Sequence, residues 1–304
     1  MPGRNVQLVR EHVYPDFTMR GWLACDMSPR NLLAARFGAA PKEIPDVLRD
    51  EFSMNGSIPI GEFYFDQAYL GGEALTSIWT GRMVEQYIRD VRDRKPAFSY
   101  DNSPFFSLFD ANPDIVAEKR GVVIGSEKPW LESFLLAYGS TDVTTVEFGS
   151  ISSEDSRIKT YTPDSFDSSF MRGDIEKFDY AFTYSSIEHD GLGRYGDILN
   201  PAGDLLTVRK LMDIVKPGGL VFIGVPCGQD QLLWNAHRVY GPVRFQQLFA
   251  GLDLLGVFPQ ESRLGMAVHG VWQPIWVLRN SFHCNPANKK RDAREFLKAF
   301  KAVS

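Results

Sequence analysis

The chain of 304 residues is 44% hydrophobic and 23% charged and carries a formal net charge of −5. This composition is typical of a globular protein with a large core, in one α/β domain with additions or in two small domains, and we expect no nucleic-acid partner. The 3 cysteines are odd in number and far apart, which excludes a disulfide framework and a zinc-ligand spacing and fits a reducing compartment.

Targeting and membrane segments are not apparent in the sequence. The start, MPGRNVQLVREHVYP, lacks the apolar core of a signal peptide. No apolar run approaches the ~20 residues that a helix needs to cross a bilayer. We therefore expect a cytoplasmic protein without a membrane span.

Residues 1–119 are predicted to form a mainly helical extension. Ser28-Pro29 indicates one helix start and Pro45 a second, because proline suits the first turn of a helix. Residues 73–94 carry apolar side chains at three- and four-residue steps, which predicts a longer helix. Residues 96–113 are rich in aromatic side chains without a regular period, and are predicted to be a linker that folds over the rest of the protein.

Residues 120–280 alternate between strand and helix patterns. Apolar runs predict strands at residues 121–124, 143–147, 158–161, 178–184, 220–225, 254–258 and 274–278. A strand, a crossover helix and a second strand form a parallel pair. The sequence therefore predicts an α/β fold with a doubly wound, mostly parallel sheet, on which the extension packs, and a helical tail at residues 281–304.

The loop after the strand FDYAFTY is the first place to look for chemistry. It carries Ser185, Ser186, His189, Asp190 and Arg194, and a helix and a second buried strand follow it. In parallel sheets, ligands bind beyond the carboxyl ends of the strands, where this loop begins. The structural alternative is a long connection that only caps the next helix.

Three segments carry a resemblance to known proteins. FDYAFTYSSIEH, with a helix and then VKPGGLVFIGVP, resembles the fourth and fifth strands of class I S-adenosylmethionine-dependent methyltransferases. SSIEHDGLGRYGD, KPGGLVFIGVP and NAHRVYGP together resemble a methyltransferase-like domain family of unknown function from nematodes, over residues 121–278. The resemblance implies a Rossmann-like fold, S-adenosylmethionine as cofactor and transfer of a methyl group to an unnamed small-molecule, peptide or saccharide acceptor.

The turn after the first strand is where a nucleotide-binding fold places its glycine-rich loop. Here it reads GSEKPW, and only Gly125 matches the glycine pattern of the methyltransferase class. We assign Gly125, Ser126 and Glu127 to the cofactor site. Lys128 and Trp130 are unusual where the amino-acid part of the cofactor would lie.

The ends of the next strands supply the other predicted cofactor residues. Glu147 ends the second strand, where a carboxylate can accept protons from both ribose hydroxyl groups; the alternative is an exposed strand end. Members of the class often contact adenine with a polar residue after the third strand, which makes Asp164 a candidate. Ser185 and Ser186 follow the fourth strand, and a pocket is predicted where these strand ends meet.

His189 is the candidate catalytic base. Methyl transfer needs in-line positioning and, where the acceptor must lose a proton, a base. An imidazole with an ordinary pKa of ~6.5 can be neutral at physiological pH and take that proton. Asp190 or Glu188 would orient the ring, and Arg194 would bind an acidic group on the acceptor.

Two other functions stay open from the sequence. The GSEKPW turn favours a methyltransferase fold that has lost its cofactor and serves as a binding or scaffold protein. A nicotinamide oxidoreductase could use Glu147 on a ribose, but the first strand is not followed by G-x-G-x-x-G. A metal site built from Glu188, His189, Asp190 and His237 lacks a ligand spacing, so no metal is predicted.

Overall fold

The computed structural model describes residues 40–65, 77–96, 100–195, 197–259 and 272–281 in full, and residues 7–13 and 30–36 as backbone. The tail predicted to be helical, residues 281–304, lies outside the described residues except for its first member. Among the described helices, none combines the length and apolar character that crossing a bilayer requires.

The structure describes fourteen strands and seven α-helices. The strands are β1 (Gln7–Val13), β2 (Arg30–Arg36), β3 (Ile60–Phe63), β4 (Ser77–Trp79), β5 (Arg120–Ile124), β6 (Asp142–Val146), β7 (Ile151–Ser153), β8 (Ile158–Tyr161), β9 (Phe178–Tyr184), β10 (Val215–Gly224), β11 (Gln231–Asn235), β12 (His237–Val239), β13 (Leu252–Phe258) and β14 (Ile275–Asn280). The helices are α1 (Asp46–Phe52), α2 (Gly81–Arg92), α3 (Ser103–Ala111), α4 (Trp130–Ala137), α5 (Pro163–Met171), α6 (Gly203–Ile214) and α7 (Pro242–Leu248).

A seven-stranded sheet in the order β13-β14-β10-β9-β5-β6-β8 organises the fold. Its strands run parallel except β14, which pairs antiparallel with both β10 and β13. The predicted fold is confirmed: the sheet is doubly wound and mostly parallel, and its last strand is antiparallel.

Helices cover both faces of this sheet, and each face has its own apolar core. On one face, α5, α6 and α7 supply Phe166, Leu205 and Phe245 to a cluster with strand residues such as Ala181. On the other face, α2, α3 and α4 pack around Phe182. Because central strands of such a sheet are buried on both sides, β9 and the second half of β10, residues 220–224, consist of nearly continuous apolar residues.

Three predictions for the extension need correction. Residues 30–36 form a strand, not a helix, because their backbone pairs with β1. The helix predicted at 73–94 begins only at Gly81, where the Thr80 side chain accepts the N–H of Met83 and caps it. The predicted linker contains α3, a helix with Pro104 in its first turn.

The described part of residues 1–119 therefore mixes α1–α3 with β1–β4, and is not mainly helical. It is also joined to the rest of the chain by strand pairing, since β3 lies parallel to β11 and β4 lies parallel to β7. A domain boundary near residue 119 stays a prediction.

Candidate functional site

A cavity of about 740 Å³ lies at the carboxyl ends of β5, β6 and β9. Its lining includes Gly125 after β5, Glu147 after β6 and Ser185 after β9. Strands that run parallel end at the same edge of a sheet, so the three loops that follow them converge there. This is where the sequence predicts a pocket.

The cavity brings together nine of the ten predicted site residues. These are Gly125, Ser126, Glu127, Glu147, Ser185, Ser186, His189, Asp190 and Arg194. Asp164 is the exception, because it is exposed on α5 and does not belong to the lining, whereas Pro163, Phe166 and Asp167 do. Residues three and four positions apart share a face of a helix, and Asp164 lies on a different face.

The buried carboxyl group of Glu132 holds the turn after β5 in place. Gly125 has a φ of +76°, and a Cβ there would lie 2.0 Å from Ser186 Oγ. Ser126 Oγ lies 3.0 Å from Glu132 Oε2, and Thr145 Oγ1 donates to Glu132 Oε1 at 2.7 Å. Burial raises the pKa of Glu132 to about 7. The Ser126 side chain therefore holds the turn in place, and its part in cofactor binding stays a prediction.

Glu147 faces the cavity from the end of β6. Its Oε1 accepts the N–H of Phe148 at 2.7 Å. Burial raises the pKa of Glu147, and the charge of Glu127 raises it further. The carboxyl group thus has a fixed position and lies close to a second acid.

The loop after β9 is held by one of its own carboxyl groups. Asp197 accepts N–H groups from Gly191 at 2.7 Å, Gly193 at 3.2 Å and Tyr195 at 3.3 Å. Ser185 has a φ of +54°, an uncommon value for a residue with a side chain. The loop therefore has a defined shape, set by hydrogen bonds that its sequence pattern does not reveal.

His189 is a neutral ring with little basicity. Its Nδ1 lies 2.6 Å from the carbonyl oxygen of Ala236, so Nδ1 carries the proton and Nε2 does not. Burial, with help from the Arg194 charge, lowers the pKa of His189 to about 3. The ring keeps an unprotonated nitrogen at neutral pH but holds a proton weakly.

Asp190, in contrast to His189, has a raised pKa. Its Oδ2 accepts the hydroxyl proton of Thr207 at 2.6 Å, and no hydrogen bond to His189 is found among the described residues. Burial raises the pKa of Asp190 to about 7. Burial likewise raises the pKa of the neighbouring Glu188 to about 8. Asp190 therefore changes charge near neutral pH at the edge of the cavity.

Arg194 lines the cavity, but much of its guanidinium group faces other parts of the protein. Its Cζ lies 4.5 Å from the ring centre of Phe65 and 5.1 Å from that of Tyr195. Its Nη1 donates to the carbonyl oxygen of Ala236 at 2.9 Å. This hydrogen bond is made to the same carbonyl oxygen that orients His189.

An aromatic wall of the cavity was missed by the sequence reasoning. The ring centres of Tyr100 and Trp130 are 5.3 Å apart, and Tyr184 lies 5.6 Å from Tyr100 and 6.0 Å from Trp130. One indication of this wall is present in the sequence, because a tryptophan such as Trp130 is unusual just after β5. Tyr100 gave no such indication, because it lies in the segment predicted to be a linker.

Among the described residues, no three potential metal ligands cluster together.

One family model matches this part of the chain. It covers residues 118–272 and is described as "Caenorhabditis protein of unknown function, DUF268". The match spans half of the chain and contains the loops that border the cavity. The chain belongs to this family. The resemblance noted in the DUF268 motifs is confirmed, and no curated protein matches the chain.

Solved structures similar to this DUF268 chain include three methyltransferases. One is the 1,6-didemethyltoxoflavin-N1-methyltransferase of Burkholderia thailandensis with bound S-adenosylhomocysteine, at 11% identity, 66% and 87% coverage of the two chains and a TM-score of 0.43. The second is the N-methyltransferase NodS of Bradyrhizobium japonicum, at 12% identity, 65% and 98% coverage of the two chains and a TM-score of 0.40. The third is the CcbJ methyltransferase of Streptomyces caelestis, at 13% identity, 65% and 97% coverage and a TM-score of 0.39. These similarities carry no argument about a reaction. Any inference about a reaction therefore rests on the residues that line the cavity.

Proposed function

We propose that this chain is an S-adenosylmethionine-dependent methyltransferase whose cofactor and acceptor share the cavity of about 740 Å³. The observation that carries the proposal is the convergence of three parallel strand ends on one cavity that has the Glu147 carboxyl group in its wall. A cavity of this size lies within the ~300–1,000 Å³ usual for small-molecule sites.

The residues present fit the cofactor. Gly125 allows the positive φ of the turn that brings Ser126 and Glu127 to the cavity wall. Glu147 would accept hydrogen bonds from a ribose diol, and Glu127 would face the positive charges of the cofactor. Ile124, Val146 and Phe148 offer apolar surface for a base. When bound, S-adenosylmethionine supplies an electrophilic methyl group.

Asp190 is the better candidate for the proton acceptor than His189. A base works best when its pKa lies near the operating pH, and the pKa of Asp190 is raised to about 7 whereas that of His189 is lowered to about 3. Thr207 would orient the Asp190 carboxyl group through its hydroxyl proton. His189 and Arg194 would then shape the loop around the acceptor.

A second candidate is a binding or scaffold protein that keeps this fold without a cofactor. One observation favours it: the Ser186 side chain packs against the face of Gly125, where a Cβ would meet both Ser186 Oγ and Cβ within 2.4 Å. That contact narrows the space above the turn after β5.

Titration calorimetry of the full chain with S-adenosylhomocysteine separates the two candidates. The methyltransferase proposal expects saturable binding with one ligand per chain, because one cavity holds all the predicted cofactor residues except Asp164. Absence of heat and of any thermal shift at millimolar ligand would reject the methyltransferase and leave the scaffold.

A further inference from the structure

Arg238 is a buried cation to which the proposed function assigns no task. It lies in β12, inside the NAHRVYGP motif, with 5% of its surface exposed, and it does not belong to the cavity lining. A guanidinium group removed from water needs acceptors for its fork of N–H groups, because an unpaired buried charge is costly.

Those acceptors are main-chain carbonyl groups at both ends of the loop that borders the cavity. Nη1 donates to Asp190 O at 2.7 Å and lies 3.4 Å from Glu188 O. Nη2 lies 3.3 Å from Pro201 O and 3.4 Å from Asn200 O. One arm of the fork thus binds the chain entering the loop, and the other binds the chain leaving it.

The two ends of the loop are already in close contact at this point. Asn200 N donates to Gly191 O at 2.8 Å. A Cβ on Gly191 would lie 2.0 Å from Asn200 O, and one on Gly203 would lie 2.5 Å from Asp190 O. The guanidinium group of Arg238 therefore bridges the two ends of the loop where they are in contact. A small shift of either end of the loop would move Asp190.

A second buried arginine provides a comparison. Asp204 is fully buried, and its Oδ1 lies 3.8 Å from Arg238 Nε. Arg244 Nε donates to Asp204 Oδ2 at 3.0 Å, and Nη2 donates to Pro201 O at 2.7 Å. Among the described contacts of Arg244, none involves Glu188 or Asp190.

We propose that Arg238 is a positioning residue, which binds both ends of the loop of residues 188–201 and so holds the Asp190 carboxyl group at the cavity. The part played by Asp190 as proton acceptor rests on the proposed function. The link between Arg238 and the loop is a property of the ligand-free protein.

The charge of Arg238 also acts on Asp190. The groups that face the Asp190 carboxyl group are Thr207, Asp197, Asp204, Glu188 and Arg238. Burial raises the pKa of Asp190 most, the two other aspartates raise it further, and Thr207 and Arg238 lower it. Loss of the guanidinium charge should therefore raise the pKa of Asp190.

The first experiment compares Arg238→Lys with Arg244→Lys by hydrogen exchange of the full chain. A lysine keeps the charge but not the fork, so Arg238→Lys should speed amide exchange in residues 187–194 by about tenfold or more. Arg244→Lys should leave that segment at the native rate, although both variants lose thermal stability. Equal exchange in the two variants would overturn the proposal.

The second experiment follows Asp190 itself by NMR, with ¹³C-labelled aspartate and Asp190→Asn for assignment. Arg238→Met should raise the midpoint of the Asp190 titration by about one pH unit, whereas Arg238→Lys should shift it less. A midpoint that is the same in native protein and Arg238→Met would contradict the proposal.

A measurement on the native protein covers the case in which these variants do not fold. The Nη protons of Arg238 should give separate, exchange-protected NMR signals, because both arms are bound. Free rotation of the guanidinium group would overturn the proposal. None of these readouts uses S-adenosylhomocysteine, so a failure to bind that ligand would reject the methyltransferase and leave the Arg238 result standing by itself.

Discussion

Glu147 and Asp164 show how two carboxyl groups with similar places in the sequence differ in the structure. Each follows a strand of the sheet, and each is a candidate for the cofactor. Glu147 is partly buried in the cavity wall, whereas Asp164 is exposed on α5 and outside the lining. The pair is therefore a matched test of the site.

If S-adenosylhomocysteine binds, Glu147→Ala should weaken it by about 1.5–3 kcal/mol, at least about tenfold in Kd, because hydrogen bonds to a charged group are lost. Asp164→Ala should leave the Kd unchanged. Calorimetry measures both. Equal losses in the two variants would mean that the ligand lies elsewhere.

Glu132 should make the stability of the fold depend on pH. Its pKa rises from 4.5 to about 7 on burial, so the folded state keeps a proton that the unfolded state releases. Stability from this group is therefore present below about pH 4.5 and is lost as the pH rises towards 7 and above. At about 1.4 kcal/mol for each pH unit, the loss is about 3 kcal/mol.

Glu132→Gln should remove that contribution and keep an oxygen for Ser126 and Thr145. Between about pH 5 and pH 8, the free energy of unfolding should fall by about 3 kcal/mol less than in the native protein. Urea unfolding at several pH values measures the difference. The exposed Glu51→Gln should follow the native slope, and a Glu132→Gln protein that also did so would contradict the assignment.

At the scale of elements, the turn between β5 and α4 is the clearest departure from the glycine-rich pattern of the class. It is held by Ser126, Glu132 and Thr145, and by the packing of Ser186 on Gly125. Side-chain contacts thus set the shape of this turn.

Gly125→Ala should lower the free energy of unfolding by clearly more than Gly173→Ala. Both glycines have positive φ, +76° and +82°, so each alanine costs about 1 kcal/mol or more in backbone strain. A Cβ on Gly173 meets nothing within 4 Å, whereas one on Gly125 meets Ser186. Thermal unfolding measures both costs.

Adding Ser186→Gly to Gly125→Ala should recover the difference between the two alanine variants, because the clash is then removed and only strain remains. If the double variant is no more stable than Gly125→Ala, the packing of Ser186 is not the cause.

The strands of the main sheet could be predicted from sequence, because most of them contain a buried apolar run, although β10 begins five residues before the predicted strand. β1 to β4, β7, β11 and β12 were missed. The short strands among them are defined by distant partners: β4 pairs with β7 more than 70 positions along the chain. The place of the site followed from the strand ends. Which ring nitrogen of His189 carries the proton could not be predicted, because it depends on the carbonyl oxygen of Ala236, 47 positions away.

At the scale of the whole molecule, the extension and the sheet share one core. Phe105 of α3 is fully buried, with its ring 5.7 Å from Phe182 of β9 and 5.2 Å from Phe134 of α4. The apolar cluster on this face includes residues from Trp79 to Val277 in chain order. The boundary predicted near residue 119 therefore does not separate two cores.

Phe105→Ala should lower the free energy of unfolding of the whole chain by about 3–5 kcal/mol in a single transition, because it leaves a cavity in the shared core. Phe63→Ala is the control, since Phe63 is 52% exposed and its loss should change stability by less than about 0.5 kcal/mol. Calorimetry and circular dichroism should report the same midpoint. Two separate transitions in Phe105→Ala would show that the extension unfolds independently.

The position of β14 has a consequence for synthesis on the ribosome. This strand comes last among the described elements, yet it lies inside the sheet, between β10 and β13. Until residues 275–280 have left the exit tunnel, β10 has one neighbour only and β13 has none in this sheet. Both strands then present unpaired N–H and C=O groups to other nascent chains. A premature stop codon a short way before residue 275 should therefore give an aggregating product rather than a shortened but folded protein.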